Sequence, residues 1–330
     1  MVRKTLYALL LIGLIAAPWA GVYPVFVMKV LCFALFASAF NLLIGYTGLL
    51  SFGHAAFLAS AGYATGYVIK TYGLTPELGV IAGTAAALVL GAVAGFFAIR
   101  RQGIYFAMIT LALAQLVYFI FLQASFTGGE DGLQGVPRGR LFGVIDLGSD
   151  TTLYYVVLVV VALAFGLIVR IVHSPFGQVL TAIRENEPRA VSLGYQADTF
   201  KWLAFVLSAG LAGLAGALKT LVLGFETLGD AYWTMSGLVV LMTLVGGMGT
   251  LFGPIVGALV IVTLEDRLGD IGSALASVTH IEAFESLGDS VTTVTGLIFI
   301  VCVLAFRRGI VGEIVARIGV LGGPRARSRG

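Results

Sequence analysis

Charge is scarce in this sequence. Lys, Arg, Asp and Glu make up 11% of the 330 residues, whereas about 25% is usual in soluble domains. Apolar residues make up 59%, and the mean hydropathy is +1.01. Such a small number of charged residues cannot cover the surface of a soluble domain of this length. The composition therefore predicts a polytopic membrane protein in contact with the lipid bilayer. The net charge of +3 gives no reason to expect a nucleic-acid partner.

Cysteine and enzyme motifs are also scarce. Cys32 and Cys302 both lie in apolar runs, which predicts small buried side chains rather than a disulfide framework or a metal cluster. The sequence contains no Gly-x-x-x-x-Gly-Lys-[Ser/Thr] phosphate loop, no His-Glu-x-x-His and no Gly-x-Ser-x-Gly. We therefore predict no catalytic residue, no metal site and no cofactor, and we expect another protein to supply the energy.

Long apolar runs, in contrast, are abundant. About 20 apolar residues cross a bilayer, and runs of that kind lie at 6–21, 25–44, 52–69, 78–99, 104–122, 153–171 and 202–223. We interpret the first run as a retained span, because another span follows it directly. The alternative is a cleaved signal peptide, since Ala16-Ala17-Pro18-Trp19-Ala20 is similar to a signal-peptidase site.

Residues 235–264 allow two interpretations. Two shorter apolar runs flank a glycine-rich turn there. This is consistent with one kinked span, or with a go-and-return pair of spans that enters the membrane and comes back to the same side. The segments on either side, 224–232 and 265–289, are both rich in acidic residues, which favours placing both on the same side of the membrane. A go-and-return pair keeps them there, so we favour the pair. With a last span at 291–306, we predict an all-α helix bundle of about ten crossings, with residues 1–330 forming a single transmembrane domain.

The basic residues orient this bundle. Most of the 20 Lys and Arg residues, including those of the basic tail at 307–330, fall on the side that holds both termini. Cytoplasmic loops carry such an excess, so we predict that both termini are cytoplasmic. Lys29 and Lys219 lie near the outer ends of spans, where we expect them to extend towards the interface.

The longest polar interruption on the basic side is 174–201, with the sequence SPFGQVLTAIRENEPRAVSLGYQADTFK. Pro175 suits the first turn of a helix, apolar residues recur at near-helical spacing, and Pro188 is predicted to divide the segment into two short helices. A helix lying on lipid is expected to carry Lys and Arg on its polar face. This segment mixes both signs, which favours a protrusion that a soluble partner grips over a surface helix.

Two glycine-rich turns occupy corresponding places in the two halves of the chain. The first contains Gly45, Gly48 and Gly53. The second contains Gly246, Gly249 and Gly253. Interrupted apolar segments at corresponding places point to a translocation path, because unwound backbone is tolerated at membrane depth only where it lines a cavity. The alternative is ordinary packing of small residues between helices.

Few polar residues lie inside the predicted spans. We assign Asn41 and His54 to the translocation path, although a histidine in an apolar helix is more often a packing residue. The cores of the predicted spans contain no Asp or Glu, the groups that carry ion coupling in secondary transporters. The sequence therefore argues against ion-driven transport.

Together these motifs resemble the branched-chain amino-acid ABC transporter permeases, and the LivM-type subunit more than its LivH-type partner. The resemblance covers about residues 41–312. It rests on GYTGLLSFGHAAFLASAGY, the external TGGEDGL at 127–133, SPFGQVLTAIRENEPRAVSLGY, VVLMTLVGGMGTLFGPIVGA and FRRGIVG.

The resemblance implies an importer of the bacterial inner membrane. A periplasmic solute-binding protein delivers the solute, a second LivH-type permease pairs with this chain, and two cytoplasmic ATPase subunits power alternating access. The segment 174–201 is then similar to the Glu-Ala-Ala…Gly coupling loop of such importers, although Pro188 and Arg189 stand in place of the Ala pair. The residues expected to couple to the ATPase are Arg184, Glu185, Glu187, Arg189, Ala190 and Gly194.

On the outer face, 127–133 and 224–232 are expected to dock the binding protein. The predicted solutes are Leu, Ile and Val, with urea or short amides as the alternative within the same class. The competing classes are a stand-alone small-solute channel or facilitator, which needs no ATPase, and a membrane-embedded enzyme that uses His54.

Overall fold

The computed structural model describes residues 13–14, 18–19, 21, 23–279, 296–297, 300 and 309–313. The predicted first span at 6–21, last span at 291–306 and basic tail at 307–330 therefore lie wholly or largely outside the described residues. The continuous part, 23–279, contains the motifs on which the functional predictions rest, except FRRGIVG at 306–312.

Helices dominate the described chain. They are α1 (Pro24–Thr47), α2 (His54–Tyr72), α3 (Pro76–Ala98), α4 (Ile104–Gln123), α5 (Asp150–His173), α6 (Pro175–Glu185), α7 (Glu187–Ser192), α8 (Ala197–Leu223), α9 (Trp233–Gly246) and α10 (Gly253–Thr279). The connection between α4 and α5 carries a small antiparallel hairpin of β1 (Arg140–Leu141) and β2 (Ile145–Asp146). Short 3-10 helices at Ser125–Thr127, Gly129–Asp131 and Leu228–Ala231 complete the connections.

Five helices, α1, α3, α4, α5 and α8, are long and apolar enough to cross a membrane. They overlap the predicted spans at 25–44, 78–99, 104–122, 153–171 and 202–223, and α2 overlaps the predicted span at 52–69. The prediction of an all-α membrane helix bundle is confirmed. Proline opens several of these helices, as at Pro24 and Pro76 in the first turns of α1 and α3, where the missing N–H group has no helical partner to lose.

The centre of the bundle is formed by α1 and α8. In their most apolar stretches 89% and 78% of the residues are buried, against 22–28% in α3, α4 and α5. Glycines on α8 allow close approach to its neighbours: a Cβ added at Gly216 would lie 2.1 Å from the carbonyl oxygen of Leu58 in α2. Small residues at helix interfaces let backbones pack closely, which is a main source of helix association in lipid.

This contact predicts a stability effect. Gly216→Ala is expected to lower the free energy of unfolding by about 1–3 kcal/mol, because the new methyl group overlaps backbone that cannot rotate away. Gly166→Ala in α5 is the matched control, since an added Cβ there meets nothing within 4 Å and helix propensity favours Ala by up to about 1 kcal/mol. Unfolding of the detergent-solubilised variants by SDS titration measures both. Equal stability of the two variants would contradict the described α2–α8 packing.

Residues 233–279 form two antiparallel helices, α9 and α10, as the go-and-return interpretation predicts. An added Cβ at Gly246 would lie 1.8 Å from Gly253 O, and one at Gly257 would lie 1.7 Å from Met242 O. With 14 residues, α9 extends about 21 Å, which is less than the roughly 30 Å of the hydrocarbon core.

The second helix of this pair extends beyond the predicted crossings at 235–264. Residues 265–279 were expected in an external segment, and α10 continues through them to Thr279. The acidic residues of 265–279 do not end the helix, because a helix makes its backbone hydrogen bonds within its own segment, whichever side chains it carries. Asp266 instead pairs with Lys29 of α1 at 2.5 Å, so Lys29 meets a partner rather than extending alone to the interface.

Candidate functional site

The two glycine-rich turns meet at the end of α1. Asn41 in α1 is buried, and its side-chain amide holds the backbone of the second turn from both sides. Its Oδ1 accepts a hydrogen bond from Gly249 N at 2.9 Å, and its Nδ2 donates to Thr250 O at 2.8 Å. The amide therefore satisfies one donor and one acceptor of a turn that has no helical ladder of its own.

The absence of side chains at the glycines permits this approach. A Cβ added at Gly45 would lie 2.4 Å from Asn41 Oδ1 and 2.9 Å from Gly249 N. Gly48 ends α1 in the left-handed region with φ of 76°, and its N–H caps Ile44 O at 3.2 Å. The sequence predicted Gly45 and Gly249 on one path, and the structure brings them into contact.

The predicted path residues Gly53 and His54 have a different environment. Gly53 precedes α2, and an added Cβ would lie 3.2 Å from Thr110 O of α4. His54 is fully buried, with Nε2 2.8 Å from Ser208 Oγ in α8. Because Ser208 Oγ donates to Ala39 O at 2.6 Å, it accepts from His54, so the ring proton is on Nε2.

Aromatic rings enclose His54. The rings of Phe40, Phe57 and Phe205 all meet it edge to face, with centroids 4.9, 5.5 and 6.3 Å away. This is the environment of a packing residue that joins α1, α2 and α8. A packing role was the alternative to the translocation path that the sequence left open for His54. In the described part of the chain, no group of three or more His, Cys, Asp or Glu side chains is arranged to hold a metal ion.

The polar segment 174–201 folds as two short helices, α6 and α7. Ser174 Oγ accepts from Gly177 N at 3.3 Å at the start of α6, and Pro175 opens the helix as predicted. The division does not fall at Pro188, which lies in the first turn of α7. Asn186 makes the break instead, because its extended backbone ends α6 and its side chain caps α7 by accepting from Arg189 N at 3.0 Å.

A small apolar core joins α6, α7 and the start of α8. It consists of Ile183, Ala190 and Ala197, with Val179 and Phe200 packed against it. An ion pair adds to it, since Glu187 Oε1 lies 2.5 Å from the buried Nζ of Lys201. Two of the residues expected to couple to the ATPase, Glu187 and Ala190, thus have partners inside the segment.

Other coupling candidates remain on its surface. Glu185, Arg189 and Gly194 are exposed, and a Cβ added at Gly194 would meet nothing within 4 Å. Arg184 is also exposed, and its Nη1 donates a hydrogen bond to Gly45 O at the end of α1. Of the six candidates, Arg184 therefore connects the polar segment to the first glycine turn.

An exposed apolar patch was missed by the sequence reasoning. Val191, Leu193 and Tyr195, here called the apolar tip, are all exposed, and Leu193 has 71% of its surface accessible. Near-helical spacing grouped Val191 and Leu193 with the buried Ala190, but α7 ends at Ser192. Leu193 therefore lies beyond the helix and leaves the apolar face that the spacing predicted.

A buried ion network lies at the opposite end of α8. Lys219 Nζ is 2.5 Å from Asp230 Oδ1 and 3.4 Å from Glu226 Oε2, and both Lys219 and Glu226 are buried. Thr220 Oγ1 lies 2.6 Å from Glu226 Oε2 and 3.1 Å from Gly216 O. The sequence suggested that Lys219 extends to the interface. In the structure it pairs with acids instead.

Glu226 follows α8, in the connection to α9. Burial raises the pKa of Glu226 to about 8, and the charge of Lys219 opposes this rise only in part. A hydroxyl has one proton, so Thr220 can donate to one of its two neighbouring oxygens. A protonated Glu226 satisfies both contacts, because it donates to Thr220 while Thr220 donates to Gly216.

The outer connections are joined by main-chain hydrogen bonds. Leu133 and Glu226 exchange two bonds of 2.9 Å each, and Val136 N donates to Gly224 O at 2.8 Å. The segments 127–133 and 224–232, each expected to dock a binding protein, are therefore joined to each other, and Glu226 and Asp230 are buried there.

These features define a multi-pass membrane permease, with helices broken at glycine turns and a polar unit projecting from one face. The chain belongs to the family of branched-chain amino acid transport system permease components, whose model matches residues 25–306. This confirms the predicted family, which is one of transport permeases and not of enzymes.

Individual relatives agree with the family. The high-affinity branched-chain amino acid transport system permease protein LivM of Escherichia coli (strain K12) is 30% identical over 258 residues, and so is LivM of Salmonella typhimurium. In both cases the match covers 70% of this chain and 60% of the relative. The autoinducer 2 import system permease protein LsrC of Salmonella choleraesuis is 27% identical over 223 residues, which are 63% of this chain and 62% of that protein. The chain thus spans about 60% of the length of the LivM proteins that it matches. No solved structure matches this chain.

Proposed function

We propose that this chain is a permease subunit of an ABC importer, a LivM-type subunit that moves Leu, Ile and Val across the bacterial inner membrane by alternating access. The solute class rests on the names of the LivM relatives. Urea or short amides remain the alternative solutes within the same mechanism.

The observation that carries the proposal is the projecting unit of α6 and α7. It has its own small core, an ion pair that holds it to α8, and an exposed apolar tip. Glu185 and Arg189 of the same unit are exposed. An apolar centre with a charged rim is the usual anatomy of a protein interface, and a stand-alone facilitator has no need of one in its cytoplasmic loop.

The same proposal assigns the partners. Two cytoplasmic ATPase subunits bind the projecting unit, a periplasmic solute-binding protein docks on the joined outer segments 127–133 and 224–232, and a LivH-type permease forms the second half of the path. Both termini lie in the cytoplasm, in keeping with the basic residues of 174–201 and of the tail. Residues 1–330 act as a single transmembrane domain.

Leu193→Glu tests the ATPase interface. The substitution places a charge at the centre of the apolar tip and is expected to reduce the ATPase recovered with the tagged permease at least tenfold, because hot-spot side chains each contribute about 2 kcal/mol or more. The protein itself is expected to stay folded, since Leu193 supports no core. Co-purification from detergent extracts of the native host, quantified by mass spectrometry, measures the loss.

Val144→Glu is the matched control. Val144 is 84% exposed in the turn between β1 and β2, in the outer connection between α4 and α5, so the same change is expected to leave the ATPase bound. If wild-type protein emerges alone while still moving solute in liposomes, the importer assignment fails and the facilitator takes its place.

A further inference from the structure

We propose that Arg184 is the positioning residue through which the projecting unit moves both glycine turns. This inference rests on the proposed function and adds a specific route from the ATPase to the translocation path. The route consists of three linked contacts: the unit itself, Arg184 at the end of α1, and the Asn41 amide between the two turns.

The first link is the rigidity of the unit. Ile183 and Ala190 pack on Ala197, and Glu187 pairs with Lys201, so α6, α7 and the first turns of α8 are held by both apolar and ionic contacts. The apolar tip lies at one end of this unit and Arg184 in the last turn of α6. A displacement of the tip is therefore expected to move α6 as part of one body.

The second link is the contact of Arg184 with α1. Its Nη1 donates to Gly45 O, one of the last four carbonyls of α1, which have no helical partner. The cation also lies at the negative end of the helix dipole. Its Cγ would be 3.3 Å from a Cβ at Gly48, and its Nη1 would be 3.3 Å from a Cβ at Gly249, so the side chain lies against both turns.

The third link spreads the movement. Asn41 ties α1 to Gly249 and Thr250 by two hydrogen bonds, and α10 begins three residues after Thr250. A pull on the end of α1 thus also moves the turn between α9 and α10. Gly45 and Gly249 have no side chains that could keep the three elements apart, which explains why glycine is required at these positions.

The test separates hydrolysis from transport. The complete transporter, with its ATPase, second permease and binding protein, is reconstituted in liposomes, and ATP hydrolysis and leucine uptake are measured together. Arg184→Gln is expected to keep the ATPase bound and its hydrolysis within about twofold of wild type, while uptake falls about tenfold. Arg184→Lys keeps a charged donor and is expected to recover part of the uptake. Arg170→Gln is the control. Arg170 is exposed in the last turn of α5, and its substitution is expected to leave hydrolysis and uptake unchanged.

A cross-link gives an independent measurement. A Cβ at Gly48 would lie 4.0 Å from Arg184 Cβ, within the range for a disulfide. In a background that lacks Cys32 and Cys302, Gly48→Cys adds backbone strain of its own, because Gly48 has φ of 76°, so uptake by the reduced pair Arg184→Cys with Gly48→Cys is compared with uptake by the same protein after oxidation. Oxidation restores the link and is expected to raise uptake severalfold, with Gly48→Cys alone as the control that does not respond to oxidant.

Specific results would overturn the proposal. Wild-type uptake in Arg184→Gln, or equal losses of hydrolysis and uptake, would show that Arg184 transmits nothing. Continued hydrolysis without uptake in the oxidised pair would show that the contact is not kept through the cycle. If wild-type permease binds no ATPase, the proposed function itself fails, and the inference fails with it.

Discussion

Replacing Lys219 by Met is expected to lower the free energy of unfolding by about 3–5 kcal/mol, because it leaves the buried carboxylate of Asp230 without its cation. Lys219 Nζ contacts Asp230 at 2.5 Å and Glu226 at 3.4 Å, and its side chain is 3% exposed. Methionine has a similar length and no charge, so the substitution removes the ion pair with little change in packing.

Lys70→Met is the control for this prediction. Lys70 is exposed at the end of α2 and donates to Gln134 O at 2.7 Å, so its loss is expected to cost no more than about 1 kcal/mol. SDS-induced unfolding of the detergent-solubilised proteins, at one pH near neutrality, compares the two.

A double variant separates charge from shape. In Lys219→Met with Asp230→Asn, both members of the closest pair become neutral, and part of the lost stability is expected to return, because no uncompensated charge stays buried. Recovery is incomplete, since Asp230 Oδ2 also accepts from Thr227 N at 3.2 Å at the start of the short helix there. A Lys219→Met protein as stable as wild type would contradict the buried network.

Local patterns predicted much of the fold. Apolar run length located α1, α3, α4, α5 and α8 to within a few residues, because a helix in lipid must satisfy its own backbone and needs a fixed length to cross. The glycine-rich turn and the acids on both sides of it predicted the antiparallel pair of α9 and α10. The polar segment was correctly expected to form two short helices.

The side-chain contacts of the site were not predicted, because they join residues far apart in the chain. Arg184 and Gly45 are 139 residues apart, and Asn41 and Thr250 are 209 apart. The polar segment and the glycine-rich turns were each recognised in the sequence. Only the tertiary packing shows that the polar segment contacts the first turn through Arg184. The charge of Arg184 suggested a contact with a soluble partner, although its side chain caps a helix of its own chain.

The ion network was missed for a related reason. Glu226 and Asp230 lie in a short connection that was expected to dock a binding protein, and Lys219 was expected to extend towards the interface. The segment around Leu133 is joined to this connection by two main-chain bonds, and a Cβ added at Gly62 of α2 would lie 2.5 Å from Glu226 Cδ, so tertiary contacts bury the acids. The available signal was the spacing, since a lysine late in a span with acids seven and eleven residues further on can close a local ion cluster.

The stability of the protein is expected to depend on pH through Glu226. Burial raises the pKa of Glu226 from its ordinary value near 4.5 to about 8, so between these values the folded state holds a proton that the unfolded state has released. Stability therefore falls as pH rises from about 4.5 to about 8, by up to about 1.4 kcal/mol for each pH unit, and levels off above.

Glu226→Gln isolates this contribution. Glutamine has the shape of the protonated acid and can donate to Thr220, so the variant is expected to match wild type near pH 4.5 and to exceed it increasingly up to pH 8. Glu130→Gln, an exposed change in the neighbouring outer segment, should keep the wild-type slope. SDS unfolding at a series of pH values measures all three proteins. If Glu226 were instead ionised and held by Lys219, Glu226→Gln would be less stable than wild type at neutral pH, so the sign of this one difference decides which proton state the buried network contains.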